Sequence, residues 1–129
     1  LASKPMLYIR KKPKGFAKMS QIEGDLKKND RVLLVEDLAT DGGSKVVFVN
    51  ALREAGAIVS DLFVIFYYGI FPGTEQNMNE LNVDLHYLCD WWDVLEVAKK
   101  DSSFTSESIE HVQQFLDNPT DWSKKNGGK

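Results

Sequence analysis

One stretch constrains the fold of this chain more than any other, because it predicts a strand, a loop and a helix in direct succession. Residues 32–35 form a continuous apolar run, which is typical of a parallel strand buried on both faces. Glu36 and Asp37 follow at once, and the small-residue loop 40–44 leads into a segment with apolar residues at helical spacing. This order predicts an open α/β fold, in which ligands bind beyond the carboxyl ends of parallel strands.

The loop of residues 40–44 has the composition of a phosphate site. Small residues at the start of a helix leave backbone N–H groups free, and the helix dipole strengthens their attraction for an anion. Gly42 and Gly43 allow close approach of the backbone and positive φ angles, while Thr40 and Ser44 add hydroxyl donors. The Gly-Lys-Ser/Thr ending of a Walker A loop is absent from this sequence, so the pattern indicates a different kind of phosphate loop.

Two carboxylates directly before a phosphate cradle would repel the ligand unless the ligand also carries hydroxyl groups. A carboxylate accepts hydrogen bonds from a sugar diol, and Mg²⁺ on a second phosphate group takes oxygen ligands nearby. Glu36 and Asp37 beside the loop therefore indicate a ribose 5-phosphate unit, with Mg²⁺ as cofactor. The alternatives are an ordinary capped strand–helix junction and a receiver domain, whose second acidic site neither Asp84 nor Asp90 matches.

The string of residues 32–44 resembles the signature of the type I phosphoribosyltransferases, which bind 5-phosphoribosyl 1-pyrophosphate (PRPP). The resemblance implies the α/β fold of that family, a parallel sheet flanked by helices. It also implies that the two acids contact the ribose hydroxyls, that Asp37 is catalytic and that the loop holds the 5-phosphate. The implied PRPP-binding residues of this segment are Glu36, Asp37, Leu38, Ala39, Thr40, Asp41, Gly42, Gly43 and Ser44.

A basic segment precedes this strand. Nine Lys or Arg and three Asp or Glu lie between Lys4 and Arg31, although the net charge of the chain is only −3. Residues 10–18, here called the basic loop, combine five positive charges with Pro and Gly, which predicts an exposed and mobile loop. Cations on such a loop suit the expulsion of pyrophosphate in a closed site, and a merely solvated basic turn is the alternative.

Residues 8–14 resemble the catalytic loop of orotate phosphoribosyltransferases, with its pattern Arg-Lys-x-x-Lys. The resemblance assigns Arg10, Lys11 and Lys14 to PRPP binding and makes Lys14 catalytic. It also implies a homodimer in which the basic loop reaches the neighbouring active site. Family members carry a His two residues after the last lysine, whereas this chain has Phe16, so a pyrophosphate contact is lost or supplied elsewhere.

The sequence indicates the nucleobase substrate less strongly than it indicates PRPP. Purine phosphoribosyltransferases carry an Asp at the position of Thr40, so the Thr and the basic loop together favour orotate, with Thr40 and Tyr68 as its contacts. Most orotate enzymes end the next strand with Asp-Arg, whereas this chain has Tyr67 and Tyr68, which are alternatively packing residues. The resemblance implies formation of orotidine 5′-monophosphate and pyrophosphate; another base, or a PRPP-sensing regulatory domain, remains the alternative.

The remainder of the chain predicts structure more than chemistry. We expect a phosphoribosyltransferase core over residues 1–118, with strands at 58–68 and 83–89 and helices at 74–81, 90–100 and 106–117. Residues 119–129 are polar and predict a disordered tail. The family resemblance implies a further N-terminal part, so we expect the fold to be truncated.

Composition excludes several other classes of protein. Cys89 is the single cysteine, so no disulfide can form within the chain and no Cys/His cluster suggests a metal held by the protein alone. We expect a cytoplasmic protein. No apolar run has the length of a membrane span, and the small net charge favours neither a membrane nor a nucleic acid as partner.

Overall fold

The structure, a computed structural model, describes residues 4–11 and 21–128. Lys14 and most of the basic loop therefore lie outside the described residues. The elements are β1 (Tyr8–Ile9), β2 (Ile22–Glu23), β3 (Arg31–Ala39), α1 (Gly43–Glu54), β4 (Ile58–Tyr67), α2 (Pro72–Leu81), β5 (Asp84–Asp90), α3 (Trp91–Lys100), α4 (Ser106–Asp117) and α5 (Pro119–Lys125). The predicted α/β architecture is confirmed.

Within the described residues, three strands form the parallel sheet, in the order β3-β4-β5. Parallel neighbours need a crossover between them, usually a helix, and α1 and α2 supply the two crossovers. The short strands β1 and β2 pair antiparallel in a separate ribbon. At its open end the N–H of Arg10 donates to the carbonyl of Gln21 at 2.8 Å, so the ribbon holds Arg10 beside Gln21.

One face of the sheet packs against α1 and α2. Alternate residues of a strand point to opposite faces, and the buried set on this side includes Leu34 of β3 with Leu62 and Val64 of β4. The helices contribute apolar side chains that recur at helical spacing, as an amphipathic helix requires. These helical core residues are Phe48, Val49 and Leu52 from α1 and Met78 from α2.

The opposite face of the sheet is open, which corrects the prediction that residues 32–35 are buried on both faces. Leu33 and Val35 are 55% and 58% exposed, and Ile65 of β4 is 53% exposed. In the described part of the chain β3 is an edge strand, and the side chains on this face have no covering helix there. A long apolar run therefore predicted the strand correctly but not the burial of its second face.

The C-terminal residues also differ from their prediction, because 119–125 form helix α5 where a disordered tail was expected. Trp122 supplies the physical reason, since its ring packs edge-on against Phe115 of α4 with centroids 5.4 Å apart. Asn118 caps the helix by accepting from the N–H of Asp121 at 3.1 Å. Among the described residues, no helix combines the length and the apolar character that crossing a bilayer would require.

Candidate functional site

The loop after β3 gathers backbone N–H groups at the start of α1. Gly42 adopts a left-handed conformation, with φ 78° and ψ −5°, and directly precedes the first helical residue. Its carbonyl accepts from the N–H groups of Lys45 and Val46 at 3.0 and 3.3 Å. The carboxylate of Asp41 accepts from the N–H of Gly43 at 3.0 Å. This N–H group therefore already points at an anionic oxygen, as a phosphate cradle requires.

The two glycines of the loop have different structural requirements. Gly42 needs a positive φ, and a Cβ added there would lie 3.1 Å from Thr74 Cγ2 and 3.3 Å from Thr74 Cα. A Cβ on Gly43 would make only an ordinary contact, 3.5 Å from the Asp41 carboxylate oxygen. The conformation of the turn thus depends on Gly42, which allows the loop to lie directly against α2.

Helix α2 packs against the loop, and two of its residues that sequence analysis did not identify contact the loop backbone. Thr74 is fully buried, and its hydroxyl donates to the carbonyl of Thr40 at 2.9 Å. Asn77 Nδ2 lies 3.4 Å from the carbonyl of Asp41. No sequence pattern distinguishes these side chains from other polar residues of an amphipathic helix, so their role emerges only from the packing of α2 on the loop.

Replacing Thr74 with valine keeps the side-chain shape and removes the hydroxyl. We expect this change to lower the free energy of unfolding by about 1–3 kcal/mol, since the Thr40 carbonyl loses its buried partner. Urea denaturation of the full-length protein measures the effect, with Thr120→Val on the exposed surface of α5 as a matched control. Equal stability of the two variants would show that the Thr74 hydroxyl does not hold the loop.

The two acids of the motif have different surroundings. The side chain of Glu36 is 19% exposed and contacts the ammonium of Lys45 on α1. Asp37, the next residue along the strand, is exposed. Burial lowers the pKa of Lys45, and the positive charge of Lys11 lowers it further. The structure thus pairs Glu36 with Lys45 and leaves the carboxylate of Asp37 accessible to a ligand.

Lys45 was missed by the sequence interpretation, although the sequence carries a signal for it. It precedes Phe48, Val49 and Leu52 by three, four and seven positions, the spacing of one helix face. All four residues are buried in α1. A lysine on the apolar stripe of a helix needs a buried partner, and the acid pair at the end of β3 was the available candidate.

Arg10 and Lys11, the two cations of the basic loop that the structure describes, have different surroundings. The guanidinium of Arg10 donates from Nε to Glu23 at 2.8 Å and lies 5.7 Å from the centroid of the Tyr8 ring. The structure therefore places Arg10 in the β1–β2 ribbon and not at the phosphate loop. Lys11 is exposed and acts electrostatically on Lys45. Lys14 is outside the described residues, so its role stays a prediction.

Tyr68 follows β4 immediately beside the loop, since its N–H donates to the carbonyl of Ala39 at 2.9 Å. Its ring packs among three other aromatic rings, with centroids 5.8 to 6.3 Å away. Packing is thus one role of Tyr68, and a contact with orotate stays a prediction. The neighbouring rings belong to Phe66, Phe71 and Trp91.

At the carboxyl end of β3 the structure thus places the N-terminus of α1, an accessible carboxylate and a second carboxylate held by a buried ammonium. The loop can accept a phosphate through backbone N–H groups. The carboxylates can accept hydrogen bonds from hydroxyls on the same ligand. The arrangement matches a ligand that carries a phosphate and a diol within one small sugar.

Curated relatives match almost the whole chain. The orotate phosphoribosyltransferase of Ruegeria sp. (strain TM1040) is 51% identical over 122 residues, which are 95% of this chain and 54% of the relative. The orotate phosphoribosyltransferase of Agrobacterium fabrum is 49% identical over 124 residues, or 96% of this chain and 53% of the relative. The chain thus spans about half the length of the curated relatives it matches. No model of a protein family matches it.

Solved structures agree with the sequence relatives. The UMP synthase of Leishmania donovani matches 89% of this chain and 24% of its own, with a TM-score of 0.73 and 30% identity. The orotate phosphoribosyltransferase of Aeropyrum pernix matches 78% of this chain and 55% of its own, with a TM-score of 0.65 and 32% identity. The predicted type I phosphoribosyltransferase fold is therefore confirmed for the part of it that this chain contains.

Proposed function

The chain belongs to the orotate phosphoribosyltransferase family along nearly all of its length, and from this premise we propose that the full-length protein transfers the phosphoribosyl group of PRPP to orotate. The products are orotidine 5′-monophosphate and pyrophosphate, in a step of pyrimidine nucleotide biosynthesis. One observation supports the proposal above the others: the left-handed turn at Gly42 starts α1 directly after the strand that carries Glu36 and Asp37.

In this proposal the loop of residues 40–44 binds the 5-phosphate through its backbone N–H groups and hydroxyls. In the structure the carboxylate of Asp41 accepts from the N–H of Gly43, and in the complex the phosphate takes its place. Glu36 and Asp37 accept hydrogen bonds from the ribose hydroxyls and hold C1 towards the incoming base. Binding the sugar at both ends fixes the orientation of the reacting carbon, which is a large part of catalysis by positioning.

Mg²⁺ fits this site as a companion of the substrate. It usually keeps several waters and is bound largely through substrate phosphates. In this proposal the metal enters on PRPP and is held by the phosphates of the substrate and by water, while Glu36 and the exposed Asp37 hold the ribose. When bound, the metal neutralises charge on the pyrophosphate, while the protein contributes the carboxylates and the cradle.

The basic loop supplies the cations for the departing pyrophosphate in this proposal. The β1–β2 ribbon fixes the start of the loop through the hydrogen bond between Arg10 and Gln21. Lys11, Lys14 and, after release from Glu23, Arg10 then meet the charge that develops on the leaving group. We also propose a homodimer in which this loop serves the neighbouring active site.

Orotate is proposed to lie at the edge formed by Thr40 and Tyr68. The backbone N–H of Tyr68 donates a hydrogen bond to the carbonyl of Ala39, the residue before Thr40. The side chains of Thr40 and Tyr68 therefore start from neighbouring positions at the carboxyl edge of the sheet. The Tyr68 hydroxyl can donate to a carbonyl or carboxylate oxygen of the pyrimidine. This contact leaves the negative charge of orotate without a cation at this position, so a cation from elsewhere in the full-length protein is required.

The open face of the sheet exposes apolar side chains. Leu33, Val35 and Ile65 are more than half exposed here, and the curated relatives are about twice as long as this chain. Apolar surface of this extent is stabilised when it is covered. Kinetic and binding measurements therefore require the full-length protein.

Replacing Asp37 with asparagine should weaken PRPP binding. The amide keeps the shape of the side chain, but it removes the charge that strengthens a hydrogen bond from a ribose hydroxyl. We expect the Kd for PRPP to rise by about ten- to a hundredfold, since one such bond contributes about 1.5–3 kcal/mol. Calorimetry measures the Kd, with Asp84→Asn on β5 as control, and an unchanged Kd would remove Asp37 from the ribose site.

A base-competition assay tests the proposed function itself. The full-length protein is given PRPP and Mg²⁺ with orotate, with uracil or with a purine base, and pyrophosphate release is measured. We expect release with orotate and a competitive advantage of orotate over the other bases. Release with another base alone would indicate a different phosphoribosyltransferase. PRPP binding without release for any base would indicate a regulatory domain.

A further inference from the structure

Lys45 is the one charged side chain that the fold buries among the described residues, with 4% of its surface exposed. A lysine at this depth is rare unless it is paired. Its ammonium contacts a carboxylate oxygen of Glu36, one of the two acids assigned to the ribose. The burial of Lys45 is therefore connected directly to the proposed substrate site.

The surroundings make this ion pair different from one at the surface. Glu36 lies in register with Val64 of β4, and Val64 is fully buried. Among the described residues, the ammonium of Lys45 contacts Glu36 on β3, and the positive charge of Lys11, just after β1, lowers the pKa of Lys45. Since apolar neighbours lower the local dielectric constant, the charges of Glu36 and Lys45 interact more strongly there than in water.

PRPP creates an electrostatic problem for a carboxylate at this place. The ligand brings several negative charges, and a carboxylate near them tends to take up a proton. A protonated Glu36 would become a donor at one oxygen, and it would lose its attraction to Lys45. Asp37 is exposed, so water can screen its charge. Glu36 is shielded from water by the sheet and α1, and it needs a cation.

We infer that Lys45 is a positioning residue for PRPP, which holds the Glu36 carboxylate ionised and in one orientation so that it accepts a hydrogen bond from a ribose hydroxyl. Lys45 acts through Glu36 and does not contact the ligand. The inference rests on the proposed function and extends it to a residue outside the recognised motif. It also explains why a lysine occupies the apolar stripe of α1 immediately after the phosphate loop.

Kinetics of Lys45→Met in the full-length protein test this inference, because methionine keeps the length of the side chain and removes its charge. We expect the KM for PRPP to rise by about tenfold, with a smaller change in kcat. The acid limb of kcat/KM should also move to higher pH, because a carboxylate without its cation holds a proton more readily. Lys45→Arg retains the charge and should keep the acid limb near its wild-type position.

Two further variants separate positioning from simple structural support. Lys100→Met removes the ammonium of an ion pair with Glu96 whose side chains are 72% and 70% exposed, and it should leave KM and the pH profile unchanged. In a double-mutant cycle, Lys45→Met should add little to the loss caused by Glu36→Gln, since both changes remove the same interaction. Glu36→Gln retains Lys45, so it gives a pH profile even if Lys45→Met does not fold.

The outcomes are distinguishable. A wild-type KM and acid limb in Lys45→Met would overturn the inference, and so would a lower melting temperature with unchanged kinetics. Persistence of the wild-type acid limb in Glu36→Gln would overturn it as well, because Glu36 would then not be the titrating group. Failure of the wild-type protein to bind PRPP would overturn the proposed function itself. This outcome is distinct from the others because it is seen in the wild-type protein, without any variant.

Discussion

Gly42→Ala in the full-length protein is expected to lower kcat/KM for PRPP by about a hundredfold, because misplacing a bound group by about 1 Å can cost this much. The expected cause is conformational. Gly42 has a φ of 78°, which costs a residue with a Cβ about 1–2 kcal/mol, and the added Cβ would lie only 3.1 Å from Thr74 Cγ2. The turn must shift, and the N–H groups of the cradle shift with it.

A second glycine provides the control for this experiment. Gly73 lies in the first turn of α2, and a Cβ added there would meet no atom within 4 Å. Gly73→Ala should therefore keep wild-type kinetics and be at least as stable as the wild type, because alanine favours a helix more than glycine does. Steady-state kinetics with PRPP as the varied substrate compare the two variants. Similar kcat/KM values for Gly42→Ala and the wild type would show that the left-handed turn does not shape the phosphate site.

Lys14→Ala should reduce kcat by about 10²- to 10³-fold, the usual effect of removing one group that stabilises developing charge. The Kd for PRPP should change much less, because the cradle and the two acids hold the 5-phosphate and ribose in the ground state. Lys12→Ala is the matched control, since Lys12 carries the same charge in the same loop but falls at a variable position of the Arg-Lys-x-x-Lys pattern. Single-turnover kinetics and calorimetry measure the two quantities.

Equal losses in Lys14→Ala and Lys12→Ala would indicate a general effect of loop charge and would contradict a specific role for Lys14. The same variant also tests the proposed homodimer. Mixing Lys14→Ala subunits with Gly42→Ala subunits creates dimers in which one site has both an intact loop and an intact cradle, if the loop crosses to the neighbour. Recovery of activity on mixing is expected, whereas no recovery would place the loop in its own subunit's site.

The strand, loop and helix around the motif could be predicted from sequence because local physics determines them. The apolar run formed β3, the glycines formed the turn, and α1 began at Gly43. Asp90 likewise marked the start of α3, where its side chain accepts from the N–H groups of Trp92 and Asp93. Each of these features depends on residues close together in the chain, so one sequence carries the whole signal.

Features that depend on distant residues could not be predicted in the same way. The support of the loop by Thr74 requires knowing that α2 packs behind Thr40, which lies 34 residues earlier. The exposure of Leu33 and Val35 depends on what covers the sheet, which an apolar run within one strand does not indicate. Helix α5 packs on α4 through the contact of Trp122 with Phe115, which composition alone does not reveal.

Calorimetric titration of the full-length protein with PRPP and Mg²⁺ measures most directly whether the turn after β3 is a ribose-phosphate site. We expect saturable binding at one site per chain, with ribose 5-phosphate competing for that site and Gly42→Ala binding far more weakly. Absence of heat and of competition for both ligands, in a preparation whose folding is confirmed by circular dichroism, would contradict this prediction.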